Sequence, residues 1–143
     1  MAFGSAPPSD VRWSTMSIRI VVCDPLHDGC SEACRSLAGD GLELVSCEDG
    51  ERLLEAVIGH PPDVVIYCLR PALDADLAVL HLLRRVMPDA PLILLAREGD
   101  LDTRKAVQSL RPLFYAVAPI DIEELKDVVH SVFTRQRKRA AGE

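Results

Sequence analysis

Five cysteines, one early aspartate and a few scattered histidines are the residues of this 143-residue chain best suited to chemistry. Cys23 stands directly before Asp24, and Cys68 lies at the end of a later apolar run. A thiol becomes a nucleophile only where a nearby cation or a helix N-terminus lowers its pKa. The one cation close to Cys68 in sequence is Arg70, two residues on and free to reach either way. Cys30 and Cys34 are four apart and share a helix face. A metal clip there needs further ligands on that face, and Ser31 and Glu32 point elsewhere, so both read as buried filler. Cys47 carries no special signal. His81 lies beside leucine stripes with no acid following to orient its ring, which reads as structure rather than as a phosphotransfer histidine. No catalytic triad, phosphate loop or dense ligand cluster appears, so the chain reads as a non-enzyme that needs no cofactor or metal.

Composition narrows the class. Hydrophobic residues make up 48% and charged residues 27%, an ordinary globular balance. A net charge of −6 and only 4% aromatics argue against a nucleic-acid binder, which wants a basic face and stacking platforms. The run Arg135-Gln136-Arg137-Lys138-Arg139 fits a solvated helix end, its charge favoured by the negative end of the helix dipole, better than a polyanion patch. No stretch approaches the roughly 20 apolar residues of a membrane span. The first residues lack the basic and apolar regions of a secretory signal, so the expected location is the cytoplasm, where disulfides are uncommon.

The elements that must position these residues follow from periodicity. Residues 1–16 are Pro-, Ser- and Gly-rich and read as a flexible leader, with Met1 and Met16 both possible starts. From Ser17 short apolar runs alternate with amphipathic stretches, the pattern of βαβ units. Strands are expected at Ile18–Cys23, Leu42–Cys47, Asp63–Cys68, Pro91–Leu95 and Leu113–Val117. Helices are expected from Asp28, from Asp49, from Asp74 or Asp76 to about Met87, from Asp100 to Leu110, and from Asp121. The third carries two stripes, one of Leu77, Leu80, Leu83 and Met87, the other of Val79, Leu82 and Val86. The fifth opens with a capping box, Asp121 to Glu124, and has a stripe of Ile122, Leu125, Val128, Val129, Val132 and Phe133. The domain is expected over 17–134, with 135–143 as a basic tail.

This order, and the segments IRIVVCDP, CEDGERLLEAV, PPDVVIYCL, RRVMPDAPLILLA and YAVAPIDIEEL, resemble the receiver domain of two-component response regulators. The resemblance implies an α/β fold, a flavodoxin-like doubly wound five-stranded parallel sheet of order 2-1-3-4-5 with five helices, whose functional crevice lies where the strand order reverses. It also implies a site: an acidic pair after the first strand and an aspartate ending the third to hold Mg²⁺, that aspartate accepting a phosphoryl group, with a hydroxyl residue and a lysine beyond the fourth and fifth strands. On this sequence the acidic pair falls on Cys23 and Asp24, the acceptor on Cys68, the hydroxyl on Ala96 and the lysine on Ala118. Four of the five positions have changed. One carboxylate and soft thiols suit Mg²⁺ poorly.

The implied function is therefore that of a degenerate, phosphorylation-independent pseudo-receiver, an adaptor or regulator that binds signalling proteins. The candidate interface is strand five with the last helix, around Tyr115, Ile122 and Val129, where the chain could also pair as a homodimer. Tyr115 falls on the family's switching aromatic position, and with Ala96 in place of its hydroxyl partner the ring reads either as a fixed interface residue or as an ordinary half-buried tyrosine. The alternative function is a redox- or small-ligand-responsive sensor at the remodelled crevice, with Cys23 and Cys68 as a redox pair, or with Asp24 and His27 completing a soft-metal site.

Overall fold

In the computed structural model, residues 18–25, 34–35, 37, 42–70 and 73–142 are described. Five strands, β1 (Ile18–Cys23), β2 (Leu42–Cys47), β3 (Val64–Leu69), β4 (Leu92–Ala96) and β5 (Phe114–Val117), form one sheet of order β2-β1-β3-β4-β5. Every pairing is parallel. Four helices are delimited: α1 (Gly50–Gly59), α2 (Leu73–Val86), α3 (Leu101–Gln108) and α4 (Ile122–Gly142). The helix expected from Asp28 falls mostly outside the described residues, although residues 34–35 are helical and Cys34 and Leu37 are buried.

β3 is buried at all six positions, as a central parallel strand covered on both faces must be. Its alternate residues divide between two cores. On one face Val65, Tyr67 and Leu69 join Val21, Cys23, Leu92 and Leu94 beneath Leu53 and Val57 of α1, Leu80 and Leu83 of α2, and Val107 of α3. On the other, Val64, Ile66 and Cys68 join Ile20, Val22, Ile93 and Leu95 beneath Leu125, Val129 and Val132 of α4. Reciprocal bonds fix the entry of β3 beside β1: the Arg19 amide donates to the Asp63 carboxylate and the Asp63 amide to the Arg19 carbonyl, both at 2.8 Å.

The expected caps form. Asp49 accepts from the Arg52 amide at 2.8 Å, Asp100 from the Thr103 amide at 2.6 Å, and Asp121 from the amides of Glu123 and Glu124. Just inside the first of these caps, Gly50 lies so close to α2 that a Cβ would sit 2.5 Å from a Val79 methyl, so the crossing of α1 and α2 requires glycine there.

The run Arg135 to Arg139, read as a helix end, continues α4, which runs to Gly142. The double stripe of α2 splits: Leu80 and Leu83 are buried, whereas Leu82 and Val86 are each 46% exposed. The buried stripe is Asp76-Leu80-Leu83, at helical spacing, so an aspartate read as a helix start takes the buried place expected of Leu77.

Candidate functional site

The carboxyl ends of β1, β3, β4 and β5 bring the predicted positions together at one edge of the sheet. Cys23 is in register with Tyr67, Cys68 with Leu95, and Ala96 with both Leu69 and Val117. The Ala118 amide donates to the Ala96 carbonyl at 2.7 Å, which carries the β4–β5 pairing one step past the strand end. Asp24 is 3% exposed, and its amide donates to the Cys47 carbonyl at 3.3 Å. Cys68 and Ala96 are buried, and Ala118 is exposed.

The alternative that set Cys23 beside Cys68 is not the arrangement observed. Cys23 is level with Tyr67, so Cys68, one residue on, projects from the opposite face of the sheet. The two thiols accordingly belong to different cores. The thiol level with Cys23 on the same face is Cys47, across the β1–β2 pairing. His27, the other member of the soft-metal reading, lies outside the described residues. Among the described residues, no three His, Cys, Asp or Glu side chains are grouped to hold a metal ion.

What the sequence left unread is a buried carboxylate. Asp76 is wholly buried and accepts from the Tyr67 hydroxyl at 2.6 Å, the Arg70 amide at 2.6 Å and Arg70 Nε at 2.9 Å, while Arg70 Nη2 lies 2.8 Å away. Arg70 is therefore committed to Asp76. The signal was present in the sequence: Asp76 precedes Leu80 by four and Leu83 by seven, which puts it on the inner stripe. Beside this cluster a cavity of about 280 Å³ opens between Leu69-Arg70 and Ala96-Arg97, with Asp100 and Thr103 on its far wall.

The electrostatics keep the Cys23 and Cys47 thiols protonated. The Cys23 thiol is pushed up to about 12 from an ordinary 9.0, by burial first and then by Cys47, Asp76 and Asp49, with Arg70 pulling the other way. Burial, then Asp49, also raises Cys47. Burial and its bond to Asp76 raise the Tyr67 hydroxyl. These shifts make stability depend on alkaline pH. Above about pH 9 the unfolded chain loses the Cys23 proton while the folded chain retains it up to about 12, so the folded state alone binds that proton and stability falls across this window. The urea midpoint should hold steady up to pH 9 and decline by pH 11, and Cys23→Ala should flatten the decline.

Tyr115 is half-buried on the Ala96 side of the sheet, with the Arg104 guanidinium 5.7 Å from its ring centre. Its hydroxyl is buried without a hydrogen-bond partner among the described residues, and burial raises its pKa. Ile122 is half-buried in the first turn of α4. Val129 corrects the expected interface: it is fully buried with Leu125 and Val132 against the sheet, because it lies on the stripe of α4 that seals the core.

No protein-family model matches the chain. It is 30% identical over 106 residues to the DNA-binding transcriptional regulator NtrC of Escherichia coli K12, across 73% of this chain and 22% of that protein. It is 28% identical over 129 residues to the response regulator MprA of Mycobacterium tuberculosis H37Ra, across 90% of this chain and 56% of that one. The chain thus spans about a fifth of the first relative and about half of the second. Among solved structures, a CheY-like receiver domain from Methanospirillum hungatei JF-1 superposes with a TM-score of 0.74 at 14% identity, covering 86% of this chain and 98% of that one. The receiver domain of the Francisella response regulator 1452 gives 0.71 at 20%, covering 84% and 99%.

The chain has the response-regulator receiver fold. The strand order observed is the one the receiver resemblance implied, and the positions carried over from the family's motif stand at its strand ends. No helix among the described residues of the chain is long and apolar enough to cross a membrane.

Proposed function

We propose that this receiver domain is a pseudo-receiver, which signals by protein–protein contact without phosphoryl transfer. The observation that carries this reading is the residue at the acceptor position: Cys68, 2% exposed, set in an apolar core where receiver chemistry asks for a solvated carboxylate. The surroundings point the same way. Asp24 supplies one carboxylate to a hard cation that wants several oxygens, and Ala96 and Ala118 offer neither a hydroxyl nor a positive charge to a transferred phosphoryl group. Arg70, a guanidinium on the cavity beside the site, is tied to Asp76.

The contact surface under this reading is the α3–β5–α4 face, which carries the Tyr115–Arg104 pair, the half-buried Ile122 and Leu101, 64% exposed. Cation and ring hold each other there, and Ala96 gives the tyrosine hydroxyl nothing to move toward. The partner is a signalling protein or a second copy of the chain. DNA binding belongs to the name of NtrC, of which this chain matches a minor part, and it is not carried over here.

The test is incubation of the protein with a small-molecule phosphodonor and Mg²⁺, followed by intact-mass measurement. The expected spectrum is unchanged. An adduct of one phosphoryl group that maps to Cys68 or Asp24 would overturn the reading.

A further inference from the structure

We propose that Cys23 and Cys47 are a modification site: a dithiol that a peroxide oxidises to a disulfide tying the edge strand β2 to β1. Three observations place the pair. The two cysteines are register partners in the parallel β1–β2 ladder and project into the same core. Adjacent strands run about 4.8 Å apart, inside the roughly 4.4–6.8 Å that separates the α-carbons of bridged cysteines. Both are thiols in the structure, and Cys47 is the leading charge acting on Cys23.

Among the described residues, competing partners are removed by topology. Cys68 and Cys34 belong to the core on the other face of the sheet. Access comes through β2, which lies at the sheet edge and is only half-buried along most of its length, with Cys47 8% exposed just before the exposed Glu48 and Asp49.

The step balances with peroxide as the two-electron oxidant. The Cys47 thiolate attacks one peroxide oxygen, the O–O bond breaks, and a sulfenic acid and one water result. The Cys23 sulfur then attacks the Cys47 sulfur, the S–S bond forms, and the hydroxyl leaves as a second water with the Cys23 proton. A small dithiol reverses the bond by exchange. Because burial keeps thiolate scarce at neutral pH, the bond forms slowly; because a high-pKa thiolate leaves poorly, it resists reduction once made. The device is a slow latch on the sheet edge, and it stands independently of the phosphorylation reading.

The experiment uses the full chain, reduced and then incubated with hydrogen peroxide. Remaining thiols are alkylated under denaturing conditions, and the protein is cleaved before aspartates without reduction. Cuts at Asp24 and Asp28 separate Cys23 from Cys30, so a Cys23–Cys47 bond joins the fragments 10–23 and 40–48. The expected results are two of the five thiols protected, that joined fragment, its loss on adding dithiothreitol, and a higher urea midpoint for the oxidised protein. Cys47→Ser should abolish the protected pair, and the wild-type map decides the matter even where that variant folds poorly. Five alkylated thiols after oxidation, or a bond through any other cysteine, would overturn the proposal.

Discussion

Asp76→Ala is expected to destabilise the domain by about 3–5 kcal/mol, the cost of breaking a buried charged cluster by removing one partner. The carboxylate is wholly buried and gathers the Tyr67 hydroxyl, the Arg70 amide and two guanidinium nitrogens. Without it the Tyr67 hydroxyl, at a position with no solvent exposure, loses its acceptor, and the chain between β3 and α2 loses the bond to the Arg70 amide. Arg70 keeps about a third of its side chain in water and swings out at little cost. Tyr67→Phe separates the contributions: it removes one donor from an acceptor that keeps three contacts, for about 1.5–3 kcal/mol. Urea unfolding of both single variants and the double variant measures the coupling. A loss below about 1 kcal/mol for Asp76→Ala would show that the cluster contributes no more than a surface ion pair.

The second large effect belongs to Arg84. Its guanidinium fans across backbone carbonyls at the amino-terminal edge of the sheet: Nε to Leu110 at 2.7 Å, Nη1 to Ala90 at 2.6 Å with longer contacts to Met87 and Pro88, and Nη2 to Arg111 at 3.0 Å. These acceptors end α2 and connect α3 to β5, so one side chain fastens two crossover connections. Burial and the nearby Arg111 charge lower the Arg84 pKa, yet a guanidinium so bonded stays protonated. Arg84→Ala should cost about 2–4 kcal/mol, since the partly buried carbonyls lose charged donors. At a typical urea dependence for a small domain that is a midpoint lower by about 1–2 M. Arg84→Lys should recover only part of the loss, because one ammonium cannot span a planar fork's acceptors.

Both clusters explain how the domain holds its loops in place while the site positions between them carry little charge. In the proposed reading the β3–α2 connection is set by an internal carboxylate, present in every molecule, rather than by a transient phosphoryl group. The conformation is then a constant of the fold, and regulation falls to partner contact or to the oxidation state of Cys23 and Cys47.

The strands, the caps and the sheet order were legible because they rest on local and repeating signals. Apolar runs of β-branched residues mark β1 and β3, Asp49, Asp100 and Asp121 announce helix starts, and strict alternation with the receiver-like segments leads to the 2-1-3-4-5 order. The gathering of Cys23, Asp24, Cys68, Ala96 and Ala118 at the strand ends followed from that order. The pairing of side chains within the gathering did not. The alternative that paired Cys68 with Cys23 rested on proximity of strand ends, but a strand turns successive side chains to opposite faces, and the register placed Tyr67, not Cys68, beside Cys23. Val129 was assigned to an interface because it lies on the last helix beside strand five, and its place on the buried stripe overrides that.

By itself, then, the sequence determined which segments become strands and helices, how they alternate, and which residue types occupy the strand ends, since each depends on neighbours within a few turns of chain. Tertiary structure alone decided that Cys47 is the companion of Cys23, that Arg70 closes on Asp76, and that Arg84 binds carbonyls up to 27 residues away. The reason is physical. Register and side-chain reach are fixed by how elements pack across the sheet, and a carboxylate or thiol carries no mark in sequence of the partner that packing will bring to it.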